Sequence, residues 1–109
     1  MKTVNVLGTE YIILSGAEAQ NSALKDNPNV AGFCEQYSKR IYIDEIDADS
    51  MENVDEYKKR LLRHELIHAF FAESGLMDEC DFANNEMMID WIAIQFPKMI
   101  KAFKDVKAL

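Results

Sequence analysis

The stretch between Asn53 and Gly75 constrains the fold of this chain more than any other. Asn53, with Glu56 three places on, resembles a capping box, the arrangement that begins many helices. Apolar residues then recur at helical spacing, and Gly75 supplies a stop signal. The residues at this spacing are Leu62, Leu66, Ile67 and Phe70. The pattern predicts one long amphipathic helix that must bury one face against other elements.

Short β-branched and aromatic runs precede this helix. Val4–Leu7 and Tyr11–Leu14 flank a turn signal at Gly8–Glu10, which predicts a hairpin. The runs Val30–Tyr37 and Arg40–Ile46 predict a second hairpin. Strands first and helices last are typical of an α+β fold. We therefore expect a small N-terminal sheet, antiparallel or mixed, within a single domain that spans residues 1–109.

The connections and the C-terminal part are predicted as follows. A short helix is expected within residues 17–25, and Asn27-Pro28-Asn29 indicates a turn. Residues 76–81 are expected to form a loop that leads to a second helix at Phe82–Gln95. Pro97 is expected to end or kink that helix, and Lys98–Lys107 to form a short terminal helix. We also expect a set of apolar residues to pack the second helix on the first: Met87, Met88, Trp91 and Ile92.

The charge balance excludes some classes of partner. The chain carries a net charge of −7, whereas nucleic-acid binding normally needs a basic surface. Its one basic cluster, Lys58-Lys59-Arg60 with Arg63, is interpreted as a solvated helix face. No apolar run is long enough to span a membrane, and the N-terminus lacks a signal peptide, so a cytoplasmic protein is expected. Cys34 and Cys80 are expected to be free thiols.

Both histidines of the chain lie in one motif within the predicted long helix, His64-Glu65-Leu66-Ile67-His68. A spacing of four residues puts the two imidazoles on one helix face, where they can share a metal ion such as zinc. Glu65 lies beside the metal rather than on it. It can take a proton from a metal-bound water, whose pKa the metal lowers to about 7.

Two imidazoles leave a zinc site incomplete, because a catalytic site has a third protein ligand and one open position. The second helix offers carboxylates one turn apart, Glu86 and Asp90, preceded by Asn85. The two motifs together resemble those of the gluzincins, the thermolysin-like branch of the zinc metallopeptidases, in which H-E-x-x-H is followed by N-E-x-x-x-D. The resemblance covers roughly residues 30–95, and the chain is similar in size to the minigluzincins and to the compact peptidase domains of the ImmA/IrrE type.

The resemblance implies a zincin-like fold with an active-site helix and a second ligand-bearing helix. It implies that Glu86 completes a site for one zinc ion, that Asp90 orients His64 and that Asn85 orients His68. It further implies hydrolysis of peptide bonds in a peptide or protein substrate, with Glu65 as the general base. Upstream, the run Ala31, Gly32, Phe33 and Cys34 is placed like the gluzincin edge strand, along which a substrate lies antiparallel.

The sequence also departs from the family pattern. Thermolysin-like enzymes stabilise the oxyanion of the reaction with a Tyr after the first motif and a His from a second domain. Residues 76–84 contain no Tyr and no His, and the 109 residues contain no third histidine. They also offer no counterpart of the second domain that supplies the His in those enzymes. Tyr37 and Tyr42 are the candidate substitutes.

These departures leave two alternatives to the enzyme. One is a catalytically weak or inactive zincin-like domain that holds structural zinc and acts through a regulatory protein partner. The other is a helical interaction protein without metal, in which both motifs are accidental.

Overall fold

The computed structural model describes residues 2–19, 24 and 30–109 of the chain. Within this part, four strands form one mixed sheet and three helices follow them. The strands are β1 (Lys2–Val6), β2 (Thr9–Ser15), β3 (Gly32–Glu35) and β4 (Arg40–Ile43). The helices are α1 (Val54–Ser74), α2 (Leu76–Glu79) and α3 (Glu86–Asp105). The α+β class predicted from the order of the elements is confirmed.

The strands lie in the order β1-β2-β4-β3. Both predicted hairpins are present, because β1 pairs antiparallel with β2 and β3 pairs antiparallel with β4. The two hairpins join through a parallel pairing of β2 with β4, which makes the sheet mixed. Strand β3 is therefore at the edge of the sheet, with one side left unpaired by the strands of the described region.

Both faces of the sheet carry apolar side chains, because successive residues of a strand point to opposite faces. One face packs against α1 through a buried cluster: Val6, Tyr11, Ile13, Ile41, Ile43 and Ala69. Leucines at 61, 62 and 66 of α1 complete this core. The opposite face carries a second, smaller cluster in which Tyr42 packs with Ala19 and Leu24. Helix α1 is thus held across one face of the sheet, with β3 beside it.

Both ends of α1 follow the signals in the sequence. The side-chain oxygen of Asn53 accepts a hydrogen bond from the Glu56 amide at 3.4 Å, as an N-cap residue does. At the other end Gly75 adopts φ 84°, a left-handed conformation that glycine enters without steric cost. These two predictions are confirmed to the residue.

The C-terminal end of α1 is fastened to the sheet by one carboxylate. Glu73 accepts hydrogen bonds from the hydroxyl groups of Thr9 (3.1 Å) and Tyr11 (2.7 Å). The ammonium group of Lys39, in the turn between β3 and β4, donates a third at 2.7 Å. One side chain therefore joins α1 to both hairpins.

The prediction of two helices divided at Pro97 is wrong. Helix α3 runs from Glu86 to Asp105, so the two helices expected there are one. A proline lacks the amide hydrogen that the carbonyl group four residues earlier would accept, here that of Ala93. The guanidinium Nε of Arg63 on α1 donates to this carbonyl oxygen at 2.6 Å. The helix continues because a side chain from a neighbouring helix replaces the missing donor.

Other expectations need smaller corrections. The segment expected as a loop contains α2 and leads into a single helical turn at Asp81–Asn84, before α3 begins. Within the helix expected at residues 17–25, a short turn covers Gly16–Glu18 and Leu24 is helical. Residues 20–23 and 25, and the turn expected at 27–29, lie outside the described part. Among the described residues, no helix combines the length and the apolar character that crossing a membrane requires.

Three of the four residues expected to pack α3 on α1 are exposed: Met87, Met88 and Trp91, by 83%, 43% and 54%. The fourth, Ile92, is half-buried, and Ile89 and Ala93 are fully buried. The buried face of α3 is thus centred on Ile89 and Ala93, with Ile92 beside them. A step of one residue rotates a helix by about 100°, so the apolar residues next to the buried ones face solvent.

Candidate metal site and substrate groove

Helix α1 presents both histidines to the start of α3. The two imidazole rings lie with their centroids 5.0 Å apart. Nε2 of His64 lies 2.8 Å from Oε2 of Glu86, and Nε2 of His68 lies 3.0 Å from Oε1 of the same carboxylate. The tertiary fold therefore brings together the two-histidine motif and the glutamate of the second motif, 18 and 22 residues apart in the chain.

The position of Glu86 follows from the cap of α3. Asn85 is the N-cap residue, and its side-chain oxygen accepts the Met88 amide hydrogen at 2.9 Å. Glu86 is consequently the first residue of α3, where a negative charge is favoured by the helix dipole. The proposed contact of Asn85 with His68 is not formed, since no hydrogen bond joins them in the described part of the chain. The residue acts on the site by placing Glu86.

Asp90 lies one turn further along α3, on the side of His64. Its Oδ1 atom is 3.3 Å from Nδ1 of His64, the ring nitrogen that does not face Glu86. Arg60 holds the same carboxylate from α1, with Nε at 3.3 Å and Nη2 at 2.5 Å. The hydrogen bond from Arg60, followed by that from His64, holds the pKa of Asp90 below its usual value. Asp90 is therefore a fixed anion that orients the His64 ring, so that Nε2 faces Glu86.

Two of the basic residues near the motif were misread as solvated. Arg60 pairs with Asp90, and Arg63 bonds the backbone of α3, so both join the two helices that carry the site. The spacing contained a signal for Arg60, which lies one turn before His64 and therefore on the same face of α1. No comparable signal marks Arg63, because its partner is a carbonyl group.

Glu65 is buried, with only 6% of its surface exposed. No hydrogen bond within the described residues engages its carboxylate, which lies within 4.8 Å of the ligand atoms of His64 and His68. Burial raises the pKa of Glu65 to about 7, more than the charge of His64 lowers it. A metal cation beside this carboxylate would lower that pKa again. Burial of the His68 ring lowers the pKa of His68, which favours the neutral form of the ring, the form that can bind a metal.

The edge strand passes directly over Glu65. A β-carbon on Gly32 would lie 3.1 Å from Cγ of Glu65 and 3.4 Å from its Oε1 atom. Few real β-carbons come so close to another atom, so the missing side chain at this position creates the room for Glu65. Nothing in the sequence pattern identified this contact.

A groove runs along β3 on both sides of this point. A cavity of about 390 Å³ lies towards the end of the strand and is lined by Phe33, Cys34, Glu35, Tyr37, His68 and Met77, among others. A second cavity, of about 450 Å³, lies towards its start and is lined by Val30, Ala31, Gly32, Tyr57, Leu61 and Met87, among others. Glu65 and Glu86 line both cavities. All four residues predicted for the edge strand thus border a groove that is centred on the charged cluster.

The two tyrosines considered as oxyanion donors are placed differently. Tyr42 is buried on the face of the sheet opposite α1, stacked on Phe33 with the ring centroids 6.3 Å apart. The fold does not bring it to the cluster. Tyr37 is 85% exposed and lines the same cavity as Glu65 and His68. It is the one of the two that can approach a molecule bound in the groove.

The cysteines are free thiols, as expected. Burial raises the pKa of Cys34 to about 12, so this thiol stays protonated at neutral pH. Although Cys34 lines the groove, it does not offer a thiolate to the site.

The donor atoms at the cluster fit zinc. Two imidazole nitrogens and one carboxylate are the ligand set of many catalytic zinc sites, whereas calcium and magnesium prefer oxygen ligands alone. Ligand atoms of His64, Glu65 and His68 lie within 4.8 Å of one another, and the two Nε2 atoms both face Glu86. Glu86 is also 67% exposed, so the site opens to the groove.

Comparison of the chain with protein-family models, with curated proteins and with solved structures found no match. The functional argument therefore rests on the residues and their geometry.

Proposed function

We propose that this protein is a zinc-dependent peptidase of zincin-like architecture, which hydrolyses peptide bonds with Glu65 as the general base. The observation that carries the proposal is the convergence of His64, His68 and Glu86 beside the mostly buried Glu65, whose carboxylate makes no hydrogen bond within the described residues. Burial disfavours the charged form of this carboxylate, and its side chain borders both cavities of the groove. Its position at the meeting point of two cavities supports a chemical role.

Each residue of the cluster has a distinct task in this proposal. His64, His68 and Glu86 hold the zinc ion, and Asp90, itself fixed by Arg60, sets the orientation of the His64 ring. Zinc, when bound, supplies a Lewis acid that activates water near neutral pH and polarises a carbonyl group. Glu65 takes a proton from the attacking water, while the oxygen atom of that water bonds to the carbonyl carbon. The same carboxyl group returns a proton to the nitrogen as the carbon–nitrogen bond breaks.

The substrate in this proposal is an extended peptide or protein segment. Strand β3 offers unpaired backbone groups beside Glu65, so a peptide can add to the sheet edge through main-chain hydrogen bonds. Gly32, Phe33 and Cys34 lie in this strand and Ala31 directly precedes it. Ala31 and Gly32 border the second cavity, and Phe33 and Cys34 border the first. The hydroxyl group of Tyr37 is the donor available to the developing oxyanion.

The first experiment is digestion of a complex peptide mixture by zinc-loaded protein, read by mass spectrometry. The wild type is expected to give new fragments, and Glu65→Gln is expected to give none while it still binds zinc. Glu79→Gln makes the same chemical change at an exposed residue away from both cavities and should behave as the wild type. Silence from the wild type, with its zinc content verified, would refute a broad peptidase and leave a dedicated substrate to be sought.

A second candidate function is favoured by the small core. The largest fully buried side chains of the described region are only Tyr11, Ile41, Ile89 and Val6. A metal that joins α1 to α3 would add stability that such a core lacks. In this alternative the domain holds structural zinc and acts through a regulatory protein partner. It predicts that Glu65→Gln changes nothing, whereas loss of His68 or Glu86 unfolds the domain.

A further inference from the structure

The cavity at the end of β3 is lined by more carboxylates than the proposed metal site needs. Its lining includes Glu35, Glu65 and Glu86, and none of its lining residues is a lysine or an arginine. In the proposed function Glu86 binds the zinc ion and Glu65 lies beside it, so the charge of Zn²⁺ offsets these two carboxylates. Glu35, the last residue of β3, has no task in that chemistry. Its negative charge is therefore uncompensated in a cavity that the substrate would occupy.

The Glu35 carboxylate is held in place by the turn that follows β3. The backbone amide of Tyr37 donates to its Oε1 atom at 3.2 Å, and the backbone amide of Ser38 donates to its Oε2 atom at 3.0 Å. A carboxylate offers about four acceptor positions, so these two bonds do not saturate it. Hydrogen bonding by the Ser38 side chain, followed by these amides, holds the pKa of Glu35 below its usual value. Glu35 is thus a fixed anion at the end of the edge strand.

The nearby cations of the chain do not neutralise this anion. Arg40 of β4 is the register partner of Glu35, but no ion pair joins their side chains in the described part of the chain. Lys39, in the turn, binds Glu73 instead. On the other side of Glu35 the edge of β3 is unpaired among the described strands. A cation from a bound molecule can therefore approach Glu35 from that side.

We propose that this cavity selects substrates with a lysine or arginine side chain on the amino-terminal side of the cleaved bond, and that Glu35 binds its positive charge. The inference rests on the proposed function, with the substrate antiparallel to β3 as in the family that the motifs resemble. Strand β3 begins at Gly32, which lies over Glu65, and ends at Glu35. An antiparallel substrate therefore has its earlier residues beside Glu35. At about 3.3 Å per residue, the selected side chain lies roughly two to three residues before the cleaved bond.

The remaining walls of the cavity suit the stem of such a side chain. Phe33 and Met77 are apolar, and the methylene groups of lysine or arginine can pack on apolar surface while the charged end reaches a polar partner. Opposite charges on neighbouring strands attract each other, whereas like charges repel. An acidic substrate side chain would be repelled by Glu35, and an apolar one would gain nothing from it.

The test measures peptide binding, so that its result does not depend on turnover. Zinc-loaded Glu65→Gln is titrated with short fluorescent peptides that are acetylated at the amino end and amidated at the carboxyl end. The peptides differ at one position, which is lysine, norleucine or glutamate. Lysine is expected to bind on the order of fivefold tighter than norleucine, which has a similar stem without the charge, and glutamate is expected to bind weakest. The advantage of lysine should shrink at high salt, because exposed charge pairs are screened.

A matched pair of second substitutions in Glu65→Gln assigns the effect to Glu35. Glu35→Gln is expected to remove the advantage of lysine over norleucine, since it removes the charge but keeps an oxygen that can accept a hydrogen bond from the turn. Glu79→Gln removes the same charge at an exposed residue outside both cavities and should keep the advantage. Thermal unfolding monitored by circular dichroism verifies that both variants are folded. Failure of the lysine peptide to bind, equal binding of lysine and norleucine, or an advantage that survives Glu35→Gln would overturn the inference. So would tight binding only of peptides with a free amino terminus, because the bound cation would then be the terminus.

Cleavage by the wild type separates this inference from the proposed function. Enrichment of lysine and arginine at two to three residues before the cleaved bonds, lost in Glu35→Gln, would support both. Cleavage without that enrichment would overturn the inference and leave the peptidase intact. Binding of lysine peptides through Glu35 without any cleavage would refute the peptidase and support the cation-binding role of the cavity.

Discussion

Gly32 shows how one missing side chain can organise the site. A β-carbon there would lie 3.1 Å from Cγ of Glu65, so the side chain of Glu65 would have to shift by a few tenths of an ångström. The position of the Glu65 carboxylate relative to His64 and His68 therefore depends on the strand that passes over it. If the proposed function is correct, Gly32 is a positioning residue for the general base.

Gly32→Ala tests this dependence. The added methyl group is expected to shift Glu65 by a few tenths of an ångström and to lower peptidase activity at least about tenfold, because reacting groups tolerate little misplacement. Zinc binding should persist, since His64, His68 and Glu86 are not touched. Activity and zinc affinity are measured side by side, with Ala102→Ser, at an exposed residue outside both cavities, as the control. Full activity in Gly32→Ala would show that Glu65 adapts or takes no part.

At the scale of single elements, α3 depends on α1 for its continuity. Proline within a helix leaves a carbonyl group without a donor, and that group must find another partner or remain unsatisfied. Here Arg63 of α1 donates to the Ala93 carbonyl oxygen, one turn before Pro97. The two helices that carry the proposed ligands are thus linked through the backbone as well as through side chains.

A double-mutant cycle at Arg63 and Pro97 measures this link. Arg63→Met is expected to lower the free energy of unfolding by about 1–3 kcal/mol, because it removes a charged donor from a part-buried carbonyl group. In a Pro97→Ala background the backbone amide of residue 97 can donate to the Ala93 carbonyl oxygen. Arg63→Met should therefore lower the free energy of unfolding by less in that background. The expected coupling is on the order of 1 kcal/mol, read from urea unfolding. Strict additivity would mean that Arg63 does not replace the missing amide.

Helix α1 is tied to the sheet by Glu73, whose pKa is held below its usual value of 4.5, first by Lys39 and then by Tyr11 and Thr9. A folded-state pKa below the unfolded one stabilises the protein above pH 4.5, and that contribution is lost as pH falls through the folded value. The network therefore contributes to stability at neutral pH and weakens in acid.

Glu73→Gln should reduce the pH dependence of stability. We expect the variant to be less stable than the wild type at neutral pH and the difference to shrink as the pH falls below 4.5. Urea unfolding at a series of pH values measures it. Glu10→Gln, at an exposed residue of β2, is the control and should follow the wild type. A difference in the free energy of unfolding that stays constant as the pH falls would mean that the effect does not come from the charge of Glu73.

At the scale of the whole molecule, the proposed metal joins α1 to α3, two helices that the small hydrophobic core stabilises only partly. A ligand that binds the native state alone at a hundred times its Kd stabilises that state by about 2.7 kcal/mol. Zinc is therefore expected to raise the melting temperature on the order of 10 °C, and a chelator to reverse the rise.

This shift is measured by thermal unfolding with and without zinc. His68→Ala should abolish it, because one of three ligands is lost, whereas Glu65→Gln should keep it, because the proposed base does not hold the metal. If neither zinc nor the chelator changes the melting temperature of the wild type, both functional proposals that include a bound metal are wrong.

The sequence alone determined the features that depend on neighbouring residues. The cap at Asn53, the stop at Gly75 and the two hairpins were predicted because local backbone geometry and side-chain period decide them. The pairing of His64 with His68 on one face follows from helical spacing in the same way. The roles proposed for Glu86 and Asp90 came from a motif resemblance, and their closeness to the histidines is what the fold adds.

Tertiary structure decided whatever depends on residues distant in the chain. The uninterrupted α3 required a donor from α1, and the room above Glu65 required an edge strand without a side chain. The burial of Tyr42 on the far face, the solvent exposure of Met87 and the pairing of Arg60 with Asp90 follow from how elements face one another. Local propensity does not contain these facts, because packing sets the rotation of a helix and the register of a sheet.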